Sequence, residues 1–104
     1  MASGFVAILA VELHFPAAGS LKGKRKYVAS AKAQLQNRFG ASVAEVGHHD
    51  LWQRAALTAA FVAREAREAD ALAARAEQWL AGQEWELVAS RIELVSPDDE
   101  AWER

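Results

Sequence analysis

Residues 42–63 read SVAEVGHHDLWQRAALTAAFVA, and the architecture of the chain turns on whether this stretch is helix or hairpin. Ala55, Ala56, Ala59, Ala60 and Ala63 favour helix. Against them, Ser42–Val46 alternates polar and apolar residues as a strand does, and Gly47-His48-His49-Asp50 has turn chemistry. Trp52, Thr58, Phe61 and Val62 are β-formers. The stretch therefore reads as a hairpin, with strands over Ser42–Val46 and Leu51–Ala63.

Upstream, Phe5–Leu13 is nearly continuous in Val, Ile, Leu and Phe, the pattern of a well-covered strand. Pro16 and Gly19 break the chain, and Ser20 is placed to cap a helix over Leu21–Arg38. Leu21, Val28, Ala31, Leu35 and Phe39 form its apolar stripe, and Gly40 stops it. Downstream, Arg64–Ala81 is a second helix with Ala69, Leu72, Ala73, Ala76 and Leu80 inward and Glu65, Glu68 and Asp70 at its start, where the dipole favours acids. Gly82 ends it. A last strand, Glu84–Val95, is expected to turn Val88, Ile92 and Leu94 inward, with Ser90 as the polar exception. The order β-α-β-β-α-β predicts an α+β ferredoxin-like sandwich: a four-stranded antiparallel sheet in the order 4-1-3-2 with both helices on one face. Residues 1–95 form the single domain, and residues 96–104 form an acidic tail, expected to be frayed unless it folds back on basic surface.

A chain of 104 residues and 11.3 kDa allows one such domain. With no cysteine there is no disulfide framework, thiolate zinc site or cysteine nucleophile. Alanine is dense between Ala55 and Ala76, which suits close packing and leaves little bulk to shape a ligand pocket. No apolar run approaches the roughly 20 residues of a membrane span, and the apolar start lacks a basic leader, so a cytoplasmic location is expected.

The net charge of −2 conceals a dipole: +5 over residues 1–40 and −7 over residues 41–104. The basic residues concentrate in the first helix as Lys22, Lys24, Arg25, Lys26, Lys32 and Arg38, with no acid between Ser20 and Arg38. Such a helix forgoes the i,i+4 ion pairs that usually support an exposed one. Cations gathered at a helix N-terminus suit phosphate groups, read by shape and charge rather than by sequence.

Three segments carry a resemblance: Ser20-Leu21-Lys22-Gly23-Lys24-Arg25, Val43-Ala44-Glu45-Val46 and Asp50-Leu51-Trp52-Gln53-Arg54. Together they resemble the YlxP-like family of small bacterial proteins, a domain of unknown function, over about Phe5 to Val95. The resemblance implies a ferredoxin-like fold. The family's genes lie beside translation and ribosome-maturation genes, which implies an RNA- or ribosome-associated role; it implies no catalytic residue. Where the family usually has an acid this chain has Gly23, which leaves a capping box with Ser20 open.

Other constellations point elsewhere or nowhere. Asp50, Trp52 and Arg54 offer a contact surface, though ordinary hairpin chemistry also explains them: Asp50 capping the turn, Trp52 packing, and Arg54 pairing with Glu45. His48, His49 and His14 lack the spacing of a metal site, and no metal or cofactor is expected. There is no phosphate loop and no nucleophile–base arrangement, so no enzyme is expected. The central strands lack the aromatics with which an RNA-recognition motif stacks bases. Their outer face instead offers Val6 and Ile8, an apolar surface that suits a partner.

The first expectation is therefore a non-enzymatic bacterial accessory protein binding structured RNA or the ribosome through Lys22, Lys24, Arg25 and Lys26, extended by Lys32 and Arg38. The alternative is a homodimeric interaction module using the open sheet face and the Trp52 hairpin. A third is a small-anion or nucleotide sensor at the helix start.

Overall fold

A computed structural model describes residues 3–98, and the expectations for the tail beyond Asp98 lie outside the described residues. The elements follow the predicted order: β1 (Phe5–His14), α1 (Leu21–Phe39), β2 (Ser42–Gly47), β3 (Arg54–Ala63), α2 (Ala66–Ala81) and β4 (Glu86–Val95). The strands form one antiparallel sheet in the order β2-β3-β1-β4, which is 4-1-3-2 read from the other edge. The fold is a ferredoxin-like α+β sandwich.

Period-two alternation sorts the central strands into two faces. Ala7, Leu9, Val11 and Leu13 of β1 and Ala55, Leu57, Ala59, Phe61 and Ala63 of β3 are buried beneath the helices. The alternate residues, among them Val6, Ile8, Ala10, Ala56, Thr58 and Ala60, make up the opposite, uncovered face. Helix α1 lies over β2 and part of β3, and α2 over β1, β4 and the rest of β3. The stripe of α2 is Ala69, Ala73, Ala76 and Leu80, small enough to seat the helix close to the sheet. Between the helices, Phe15 stacks on Tyr27 at 5.5 Å. Trp85 meets Phe15, Tyr27 and Trp79 edge-on. This aromatic cluster fills the space that the alanines leave.

Two bulges depart from simple alternation. On β4, Glu12 pairs with Ala89 and Leu13 with Leu87, so Val88 is the extra residue. Leu87 therefore turns inward, and Val88, expected inside, is 47% exposed. Ile92 and Ser90 stand opposite Leu9 and Val11, and the Ser90 hydroxyl donates to Glu77 of α2, whereas Leu94, also expected inside, is 39% exposed near the end of the strand. On β2, Glu45 pairs with Leu57 and Gly47 with Ala56, leaving Val46 as the bulge and aiming Glu45 beneath α1.

The hairpin is confirmed, but β3 begins at Arg54 rather than Leu51. His48 takes a left-handed conformation (φ 61°), and Leu51 N donates to His48 O. Residues 48–53 thus form a loop. At the far end, Ser96 Oγ donates to Gly4 O, and Ser3 N donates to Asp98 Oδ2 at 3.0 Å. That second bond holds the Asp98 carboxyl below the ordinary aspartate range.

Candidate nucleic-acid interface

The site is built from the start of α1 and the hairpin loop. Ser20 is the N-cap: its backbone is extended, and its Oγ accepts from Gly23 N at 3.0 Å. No acid stands in the first turn, so the reciprocal half of a capping box is absent. From this start the 3.6-residue repeat turns Lys24, Val28, Ala31 and Leu35 toward the sheet. A lysine therefore occupies the first full position of the buried stripe.

Lys24 is 2% exposed. Its ammonium donates to His48 O at 2.8 Å, Arg54 O at 3.1 Å and Glu45 Oε2 at 3.2 Å, with His49 O at 3.4 Å. Three N–H donors meet four acceptors, and one of those acceptors is a carboxylate. Burial of the charge is tolerated because it is both paired and fully hydrogen-bonded. This overturns the expectation that Lys24 contacts phosphate. Its charge is spent inside, clamping the two ends of the hairpin loop to the first turn of α1.

The remaining basic residues stay outside. Lys22, Arg25 and Lys26 are exposed and Lys32 is half-buried. At 100° per residue, Lys22 and Lys26 lie opposite the buried stripe, while Arg25 and Lys32 share one flank of it. Arg38 lies on the other flank, with its guanidinium 5.8 Å from the centre of the Trp79 ring of α2. It is thereby separated from the track it was expected to extend. Among the described residues no acid forms an ion pair with Lys22, Arg25, Lys26 or Lys32. Glu45, the acid nearest α1 in sequence, is taken by Lys24 from within.

The hairpin loop differs from the expectation of ordinary turn chemistry. Asp50 is exposed, and Trp52 is 52% exposed rather than packed. Arg54 does not reach Glu45; its guanidinium lies 3.7 Å from Glu12 on the opposite face of the sheet. Gln53 holds the loop instead: its side-chain amide donates to Ala18 O at 3.2 Å and Pro16 O at 3.5 Å, and its carbonyl accepts from Phe15 N. Of the three motif segments, Lys24, Glu45 and Gln53 are thus internal fasteners.

The histidines go to three separate places. His48 Nε2 lies 2.9 Å from Glu12 Oε1, His49 Nε2 3.2 Å from Glu45 O, and His14 Nδ1 3.1 Å from Glu86 Oε1. Among the described residues no group of three His, Asp or Glu side chains stands close enough to hold a metal ion. On the uncovered sheet face Val6 and Ile8 are half-buried, and Val62, beside Val6, is 73% exposed. The described helices include none long and apolar enough to cross a membrane.

A family model described as "Protein of unknown function (DUF503)" matches residues 6–93. The "Uncharacterized protein YlxP" of Bacillus subtilis (strain 168) is 46% identical over 37 residues, covering 36% of this chain. The match spans 40% of that relative's length.

The buried ammonium makes a direct prediction. Lys24→Ala leaves Glu45 and the loop carbonyls without their donor, at a cost of about 3 kcal/mol. Lys26→Ala, on the exposed face, changes stability by less than about 0.5 kcal/mol. Urea denaturation of the two variants measures the difference.

Proposed function

We infer that this chain, which belongs to the DUF503 family, is a binding protein without chemistry of its own that engages structured RNA, in the cytoplasm and in association with the ribosome, through the outer face of α1. One observation carries the reading: Lys22, Arg25 and Lys26 are exposed at the start of α1, Lys32 stands half-buried on the Arg25 flank, and among the described residues no acid forms an ion pair with any of them. Lysine and arginine so placed neutralise phosphates and release their counterions, giving affinity without reading sequence. Because the rest of the chain is acidic, binding is confined to one face.

A filter-binding titration against an RNA hairpin tests this. With about four phosphate contacts, the logarithm of affinity falls against the logarithm of salt with a slope of about −3 to −4. Charge reversal at Lys22, Arg25 and Lys26 abolishes binding and leaves the unfolding curve unchanged. Equal affinity of the variant, or a flat salt dependence, contradicts the reading.

Gly23 offers a second test with two opposed outcomes. A Cβ at Gly23 meets only Ser20 Oγ, at 3.5 Å, so a side chain fits. Gly23→Glu removes a helix glycine and supplies the missing acid of the capping box, raising stability by about 1 kcal/mol. The same carboxylate stands among the cations and weakens RNA binding several-fold. Gly23→Ala stabilises without weakening.

A second reading is favoured by the uncovered sheet face, where Val62 is 73% exposed beside Val6 and near Ile8. In that reading a second copy of the chain covers the face, and sedimentation at micromolar concentration gives a dimer that Ile8→Lys dissociates. Sedimentation as an 11.3 kDa monomer excludes it.

A further inference from the structure

Resting on the reading of α1 as a phosphate-binding surface, we propose that Trp52 is a base-stacking residue: it receives an unpaired RNA base while Lys22, Arg25 and Lys26 hold phosphates of the flanking duplex. The ligand is a duplex next to an unpaired nucleotide, as at a hairpin loop or a bulge.

The exposure of Trp52 is unlike that of the other described tryptophans, Trp79 and Trp85. Trp79 and Trp85 are built into the aromatic cluster between the helices, Trp85 at 5% exposure. Trp52 is 52% exposed, and its neighbour Leu51 is 48% exposed. A large apolar ring left in water forfeits the burial that tryptophan ordinarily contributes to a core.

The segment that carries the ring is held from several directions. His48 O, His49 O and Arg54 O all accept from the Lys24 ammonium. His49 Nε2 bonds Glu45 O, Leu51 N donates to His48 O, and Gln53 is tied to Ala18 O and Phe15 N. A ring on so restrained a backbone binds with much of its ordering cost already met.

The same bonds supply the juxtaposition. Lys24 belongs to the first turn of α1, between Lys22 and Arg25, and its side chain reaches both ends of the loop. The loop is therefore fixed to the first turn of α1 from its sheet side, with Arg25 on the flank and Lys22 and Lys26 around the outer side of the same helix start. Aromatic faces next to cations are the recurrent means of holding unpaired nucleotides, because every base has a π-face and every nucleotide a phosphate. The uncovered sheet face is a poor substitute, since its central strands offer Val6, Ile8, Ala10, Ala56, Thr58 and Ala60 and no Phe, Tyr or Trp.

The test compares the full chain with Trp52→Ala and Trp52→Phe on two RNAs, a stem closed by an unpaired loop and the same stem as a blunt duplex. Trp52→Ala lowers affinity for the looped RNA about tenfold and leaves the blunt duplex unchanged. Trp52→Phe, which keeps an aromatic face, recovers most of the loss. The salt slope is the same for all three proteins, because no phosphate contact is removed. The looped RNA also quenches indole emission, and Trp52→Phe removes that quenching. The inference is overturned if Trp52→Ala binds the looped RNA as the unmodified chain does, or weakens both RNAs equally. In those cases loss of binding on charge reversal at Lys22, Arg25 and Lys26 leaves the reading of α1 standing. If the unmodified chain binds neither RNA, the reading of α1 itself fails, and the stacking role with it.

Discussion

A single ammonium group sets the geometry where the start of α1 meets the hairpin loop. Lys24 leaves the first turn of α1, passes into the space between helix and sheet, and ends on a carboxylate of β2 and on carbonyls from both ends of the hairpin loop. A charge in that position is worth having only if every donor is matched, because an unmatched buried charge costs far more than a paired one returns. The matching requires α1, β2 and the loop to keep one relative placement. The bulge at Val46 belongs to the same constraint, since it sits between the strand pairing that aims Glu45 inward and the turn whose carbonyls face the ammonium.

That internal pairing decides what the outside looks like. Lys24 and Glu45 neutralise each other below the surface, and so the acid nearest α1 in sequence is not available to its exposed cations. Glu12 lies on the uncovered sheet face, engaged by His48 and Arg54, and Asp50 stands exposed in the hairpin loop. What remains is Lys22 and Lys26 on the outer side of α1, with Arg25 and the half-buried Lys32 on its flank. A chain of net charge −2 therefore carries a group of cations that no acid pairs among the described residues. The clamp and the surface are one device: the inward lysine fixes the turn on which the outward residues are carried.

The element order was legible because periodicity and punctuation agree almost everywhere. Ser20 and Gly40 bound α1, and the parities of β1 and β3 separate cleanly into a buried and an uncovered set. Lys24 was hidden by its company. Inside a run of Lys-Gly-Lys-Arg-Lys it reads as one more surface cation, yet its spacing to Val28, Ala31 and Leu35 is that of a core position, and this signal was present in the sequence. The start of β3 was obscured because Leu51 and Trp52 have strand-like side chains, whereas the loop is fixed by polar bonds from distant residues. The inward turn of Leu87 rather than Val88 depends on a bulge that opposes Glu12 of another strand. Both residues are apolar, so hydropathy alone does not choose between them.

Lysines two residues apart on one helix have opposite fates: Lys24 is sealed as a fastener, and its neighbours, we propose, are offered to a polyanion. Acylation of lysine amines in the folded chain, read residue by residue by mass spectrometry with and without a structured RNA, measures this directly. The account predicts that Lys22, Lys26 and Lys32 react in the free protein and are shielded by RNA, and that Lys24 stays unmodified in both states until the chain unfolds. Modification of Lys24 at the rate of its neighbours, or no shielding of any lysine by RNA, would contradict it.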